Sequence, residues 1–289
     1  MTKLNEIGIA HYLVPLSFVV LFAFIGVRIM TASHAKTIDV YHAIGYAKSA
    51  NIQTTVQNHA LLLAQKTSQP VSSRIWAGYA VNSVLPRTLF RKIQATWVQP
   101  KVTCDASQAW TVFWVGLDGL GNNNVEQAGS EAYCDSVGAT PTYNLWWETY
   151  PYNPIQTEDI INAGDTINAV VIYNPANSTI TMAVKDITTG QQLIHSVACS
   201  LVNCPRISAE VVSEDVGRYG SDSYFPLANY GKVSYSKVSI TDSEPKTGNV
   251  INTSWRTLAI TEQDAGIKYA SVSALSAQGT AFSTTWLHQ

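Results

Sequence analysis

Short runs of β-branched and aromatic residues, broken by turn-forming residues, constrain this chain more than any other feature of its sequence. The runs fall at 76–83, 95–98, 110–117, 125–132, 143–150, 166–173, 179–185, 191–198, 208–213, 233–240, near 260, 269–275 and 281–286. Between them stand Leu120-Gly121-Asn122-Asn123, Asn174-Pro175-Ala176-Asn177, Thr188-Thr189-Gly190 and Gln278-Gly279. Branched and aromatic side chains suit a pleated, half-buried surface, whereas Gly, Asn and Pro suit tight turns. Many strands at short, regular spacing predict an all-β domain, an antiparallel β-sandwich.

Side chains alternate between the two faces of a strand. Trp114, Gly116 and Asp118 therefore share a face, as do Asn144, Trp146, Glu148 and Tyr150, and as do Glu210, Val212 and Glu214. Each strand offers a face with carboxylates, and in the first two they sit beside aromatics. Packing alone does not ask for that combination. There is no Gly-x-Ser-x-Gly elbow, no His-Glu-x-x-His pair, and no phosphate-cradling Gly loop opening a helix. His195, alone in a strand, reads as structural. What remains are acids and amides: Asp118, Glu126, Gln127, Glu131, Glu148, Asp165, Glu210, Glu214 and Asp215. Two carboxylates, such as Glu148 and Glu214, suit glycoside hydrolysis. A carboxylate with an amide suits peptide hydrolysis, the amide N–H meeting the oxyanion. A third reading is a lectin, in which the aromatics stack sugar rings. Spacing alone does not choose among them.

The net charge of −2 gives no basic patch for nucleic acid. Only 13% of residues are charged, about half the usual quarter. That suits an acidic medium, where protonated carboxyls leave Lys and Arg to repel one another. Residues 12–27 are apolar apart from Pro15 and Ser17, with Lys3 before them and Arg28 after. Residues 1–35 read as a signal peptide, Ser33-His34-Ala35 resembling a cleavage site, or as an uncleaved membrane anchor, which Arg28 favours. Either places the rest of the chain outside the cytoplasm. Residues 36–73, with Ile38, Tyr41, Ile44 and Ala47 at helical spacing, read as a partly helical stalk or propeptide. Residues 74–289 read as the globular domain. The four cysteines, Cys104, Cys134, Cys199 and Cys204, suggest disulfides in an exported chain. Pairing 104 with 134 and 199 with 204 is the natural choice, though three connectivities exist. No Cys-x-x-Cys pair points to zinc. Asn177-Ser178-Thr179 and Asn252-Thr253-Ser254 match the glycosylation acceptor pattern.

Several blocks occur in a fixed order: Trp76-Ala77-Gly78-Tyr79, Ala95-Thr96-Trp97-Val98-Gln99-Pro100, Trp114-Val115-Gly116-Leu117-Asp118-Gly119, Glu126-Gln127-Ala128-Gly129, Trp146-Trp147-Glu148-Thr149-Tyr150-Pro151, Ala163-Gly164-Asp165, Ser208-Ala209-Glu210 to Glu214, and Pro226-Leu227-Ala228-Asn229-Tyr230-Gly231-Lys232-Val233. Together they resemble the glutamic peptidases, or eqolisins, from about residue 74 to the C-terminus. The resemblance implies a concanavalin-like sandwich and acid endopeptidase chemistry on polypeptide substrates, with no metal or other cofactor, in a monomer. It implies catalytic roles for Gln127 and Glu214. It places Trp114, Asp118, Trp146, Glu148 and Tyr150 in the substrate groove, Asp118 or Glu148 orienting the catalytic pair, and leaves Glu210 and Asp165 structural. In acid, Glu214 with an ordinary carboxyl pKa of about 4.3 is expected to be ionised and to act first as a base on water. The sequence departs from the family at Ile75, usually Asn, at Val211, commonly aromatic, and at Ser213, usually apolar.

Overall fold

A computed structural model describes residues 68–289 except 84–88, 218–222, 244–246, 253–254 and 289, with the backbone alone at 153–160. It also gives the backbone of two short strands, β1 (Arg28–Ile29) and β2 (Ile38–Asp39). The apolar run at 12–27 and most of the stalk lie outside the described residues. Among the described residues, no helix is long and apolar enough to cross a membrane.

The strands follow the sequence pattern closely. They are β3 (Gln69–Ser73), β4 (Trp76–Ser83), β5 (Phe90–Val98), β6 (Ala109–Asp118), β7 (Val125–Cys134), β8 (Thr142–Tyr150), β9 (Asn153–Ile160), β10 (Thr166–Asn174), β11 (Thr179–Asp186), β12 (Gln192–Ala198), β13 (Ser208–Glu214), β14 (Lys232–Asp242), β15 (Thr247–Gly248), β16 (Trp255–Asp264), β17 (Ile267–Val272) and β18 (Phe282–Trp286). One helical turn, α1 (Cys199–Val202), follows β12. Strands β3 and β9 were not anticipated, because each contains a proline, Pro70 or Pro154. Both lie toward a margin of the sheet, where proline is tolerated: among the described residues β9 pairs with β8 alone, and β3 lies outside β16 with the two-residue strands β1 and then β2 beyond it. Strand β3 lies inside the segment read as stalk, and its Val71 and Ser73 are buried.

Pairing builds two layers. One runs β3–β16–β4–β13–β6–β7–β8–β9, antiparallel except between β3 and β16. The other runs β18–β14–β5–β10–β11–β12. Strand β17 bridges β16 and β18 and joins the layers along one side. Odd-numbered residues of β6 and β13, such as Phe113, Val115, Leu117, Ala209 and Val211, fill the core with Trp97, Ile93, Val171, Met182 and Tyr235 from the other layer. The remaining face of the first layer carries its own apolar cluster, built on Trp76, Trp114, Trp146, Val212, Leu258 and Ile260. Disulfides Cys104–Cys134 and Cys199–Cys204 form the two expected pairs. The first ties the segment before β6 to the end of β7, and the second closes α1.

Strands β6 and β7 approach so closely at Gly129 that a Cβ there would collide with the Phe113 carbonyl oxygen. Because the obstacle is backbone, it does not yield as a side chain would. Gly129→Ala is expected to cost about 2 kcal/mol or more and to lower Tm by roughly 5 °C or more. Thermal unfolding followed by circular dichroism checks this, and an unchanged Tm would contradict the close approach.

Candidate active site

The register of the first layer assembles the candidate residues in rows on the face away from the core. Glu210 lies opposite Gly116, Gly116 opposite Gln127, and Gln127 opposite Glu148. The next row holds Val212, Trp114, Gly129 and Trp146, and the one after it Trp76, Glu214, Val112, Glu131 and Asn144. Gly116 makes room for an indole, since a Cβ there would sit 2.7 Å from the Trp114 ring. Trp76 meets Trp114 edge-on, with ring centroids 5.3 Å apart.

Glu214 is half-buried at the end of β13. The Trp114 indole N–H donates to its Oε2 at 2.6 Å and fixes the carboxyl. Burial pushes its pKa up to about 8, helped by the charges of Glu148 and Asp215 and opposed by the Trp76 and Trp114 indoles. The Trp76 N–H faces the same carboxyl but lacks full hydrogen-bond geometry. Such a shift favours the protonated carboxyl in acid, where the sequence alone suggested an ionised one. Gln127 donates from Nε2 to Glu148 Oε2 at 2.7 Å, and its own Oε1 is buried without a partner. Burial raises Glu148 to about 7, with the Gln127 hydrogen bond opposing. Gln127 and Glu214 do not bond to one another. Gln127 is level with Glu210, four residues before Glu214 on β13, so strand β6 and the Trp114 row lie between them, and Glu148, near enough to repel the Glu214 charge, lies beside Gln127.

The expected groove residues divide. Glu148 lines the face and Tyr150, 39% exposed, stands at its rim, whereas Trp114 and Trp146, 0% and 1% exposed, form its floor. Asp118 shares the strand face of Trp114 and Gly116 but is not open to the groove. It is fully buried at the end of β6, and its carboxylate accepts the backbone N–H groups of Arg206 and Ile207 and the side-chain amide of Asn122. Asp118 fastens the segment after the Cys199–Cys204 loop, so its role as a substrate contact is corrected to a structural one. Asp165 accepts the Asn162 N–H in a turn, and Glu210 is buried as expected of a structural residue. The departures from the family have local explanations. Ser213 and Val211 point into the core, Ser213 bonding Tyr235 at 3.0 Å and Thr284 at 2.6 Å, and Ile75 packs in the groove-floor cluster. His195 stacks on Trp147 at 3.6 Å, in keeping with a structural role.

The sequence reading passed over Glu262, which shares the face of Leu258 and Ile260 on β16. Strand alternation was the signal that could have found it. It is 1% exposed, neither oxygen has a partner, and its pKa is driven well above the usual range, first by burial and then by Asp215 and Glu214. Glu126 and Glu210 are also fully buried with unpaired carboxyl oxygens. Burial, followed by the Asp118 charge, raises Glu126 to about 9, and burial raises Glu210 well above its ordinary value. For such groups the folded pKa exceeds the unfolded one. Their stabilising contribution is complete below about pH 4.5 and is lost as pH rises through the folded values. The midpoint of denaturant unfolding is thus expected to fall between about pH 5 and pH 9 by the equivalent of several kcal/mol. Glu126→Gln and Glu210→Gln should flatten that fall, and a pH-independent midpoint in the parent would contradict the burial of unpaired carboxyls.

The fold has solved counterparts. Scytalido-glutamic peptidase, in a crystal structure with a peptide-based transition-state analogue, is 23% identical with a TM-score of 0.61, over 74% of this chain and 98% of that one. SCP-B, a member of the eqolisin family seen with the tripeptide Ala-Ile-His, is 23% identical with a TM-score of 0.59 over the same shares. Aspergilloglutamic peptidase from Aspergillus niger is 23% identical with a TM-score of 0.53, over 62% of this chain and 100% of that one. Among curated proteins, none matches the chain. The profile described as the Peptidase A4 family matches residues 74–284, and the chain belongs to that family, the glutamic peptidases, as a hydrolase of peptide bonds.

Proposed function

We propose that the chain is an acid-active endopeptidase whose chemistry is carried by Glu214 and Gln127. The observation that carries this reading is the arrangement of the Gln127 amide. One of its two N–H groups is held by Glu148, which leaves the other N–H for substrate, and its buried Oε1 meets no hydrogen-bond partner among the described residues. On the same face stands a carboxyl, Glu214, pinned by Trp114.

In the proposed sequence the Glu214 O–H first gives its proton to the oxygen of the scissile carbonyl. A water held between Glu214 and Gln127 then bonds to the carbonyl carbon, and one of its protons passes to the Glu214 carboxylate. The free Gln127 N–H donates to the former carbonyl oxygen as its bond to carbon lengthens. Glu214 next protonates the leaving nitrogen, the C–N bond breaks, and Glu214 takes back a proton from the geminal diol. One water and one peptide bond become a carboxylic acid and an amine, with Glu214 protonated again. No covalent intermediate is required.

Glu214→Gln keeps the size and removes the transferable proton, and it should abolish cleavage of denatured protein in acid. Gln127→Glu replaces the N–H donor and should lower kcat by about 100- to 1,000-fold. Glu210→Gln, on the same strand face, should cost far less. Asp118→Asn should lower stability more than kcat, because it acts through the 206–207 segment. Near-full activity in Glu214→Gln would overturn the assignment.

A further inference from the structure

Just beyond Glu214, at the end of β13, the groove face meets a cavity of about 420 Å³ whose walls include Arg74, Asp215, Tyr224, Phe225, Asp264 and Tyr269. That is large enough for a side chain or chain end and lies within the usual range for ligand sites, about 300–1,000 Å³. Two of the lining residues carry buried polar atoms that have no hydrogen-bond partner among the described residues, Arg74 Nε and Asp215 Oδ1. Arg74 Nε stands 3.3 Å from Asp264 Oδ2, an ion pair off the line of a hydrogen bond, and the guanidinium lies 5.1 Å over the Tyr224 ring. Asp215 already accepts the Val216 backbone N–H, and burial lifts its pKa to about 8. In acid its free oxygen is thus an O–H donor.

The cavity therefore presents two unfulfilled donors, one on a cation. Nearby Glu214 and Glu262, with raised pKa values, are neutral in the same conditions. A guanidinium has five N–H groups and can serve a second anion beside Asp264. A basic ligand would meet the Arg74 charge, and a purely apolar one would leave both donors unpaired. A carboxylate supplies two acceptor oxygens and the opposite charge. We infer that this cavity is a subsite of the substrate groove that binds a carboxylate, either an acidic side chain or the free carboxyl end of a peptide. This rests on the peptidase reading of Glu214, which precedes Asp215 in the chain.

The test is calorimetric binding to the full chain at about pH 5, above the ordinary carboxyl pKa of about 4.3. The probes are acetyl-glutamate amide, acetyl-phenylalanine with a free carboxylate, and acetyl-glutamine amide. One of the first two should bind at least ~10-fold more tightly than the third, and which one does so distinguishes side chain from chain end. Arg74→Gln should erase the preference, Lys101→Gln should preserve it, and Asp264→Asn, which frees Arg74 of its competing anion, should strengthen it. Equal binding of all three probes, or a preference that survives Arg74→Gln, would overturn the inference. Acid digestion of denatured protein by the same samples separates the two readings. Proteolysis without carboxylate preference overturns the subsite alone, and carboxylate preference without proteolysis overturns its assignment to a substrate groove.

Discussion

The register of β6 between β13 and β7 is the constraint on which the rest of the site depends. It sets Glu214 within reach of the Trp114 indole and places Gln127 opposite Glu148. A slip of one residue would turn each of these side chains into the core and bring Phe113 and Ser213 out. The core side guards against that slip with polar contacts that fit only one alignment. Trp97 Nε1 donates to Ser130 at 2.9 Å, the Tyr235 hydroxyl donates to the Val212 carbonyl at 2.9 Å, and Ser213 joins Tyr235 and Thr284. Ser213 thus helps hold Glu214 in place from the opposite face of its own strand.

A second constraint follows from the scarcity of cations. Charged residues make up 13% of the chain, and Glu126, Glu210 and Glu262 are buried with no oxygen in full hydrogen-bond geometry to any described residue. A buried carboxylate without a cation is costly, whereas a buried carboxylic acid costs far less. The fold tolerates these groups where they are protonated. Glu148 and Glu214 are raised by the same burial, so in the proposed mechanism the conditions that favour the fold also supply Glu214 with the proton it would transfer. Stability and chemistry depend on pH through one physical cause.

Most of the strands, and the face that Trp114, Glu148 and Glu214 each occupy on their own strands, were legible in the sequence, because a period of two and the turn residues are local signals; that these faces coincide comes from the register. The disulfide pairs were legible from spacing. Strands β3 and β9 were not, since their prolines read as breaks and only the finished sheet shows that both lie toward its margins. Asp118 was misplaced for a related reason. Alternation gave its face correctly, but its positive φ of 69° at the strand end, and the distant segment 206–207 that closes over it, arise from tertiary structure. The upward shift of the Glu214 pKa was hidden as well, since it is set by burial that no local pattern reports. Gln127 entered through its family resemblance, because a single amide on a strand carries no signal of its own.

The central claim is that Glu214 enters the reaction as an acid. Because Glu148 and Glu214 influence one another, their protons come off as a pair, and kcat/KM against pH reads the form of the free enzyme that reacts. Measured on a short unstructured peptide from about pH 2 to pH 9, kcat/KM should be level in acid and fall once the pair loses its first proton. A rate that climbs with pH through the same range would mean that Glu214 acts first as a base, and it would contradict the account.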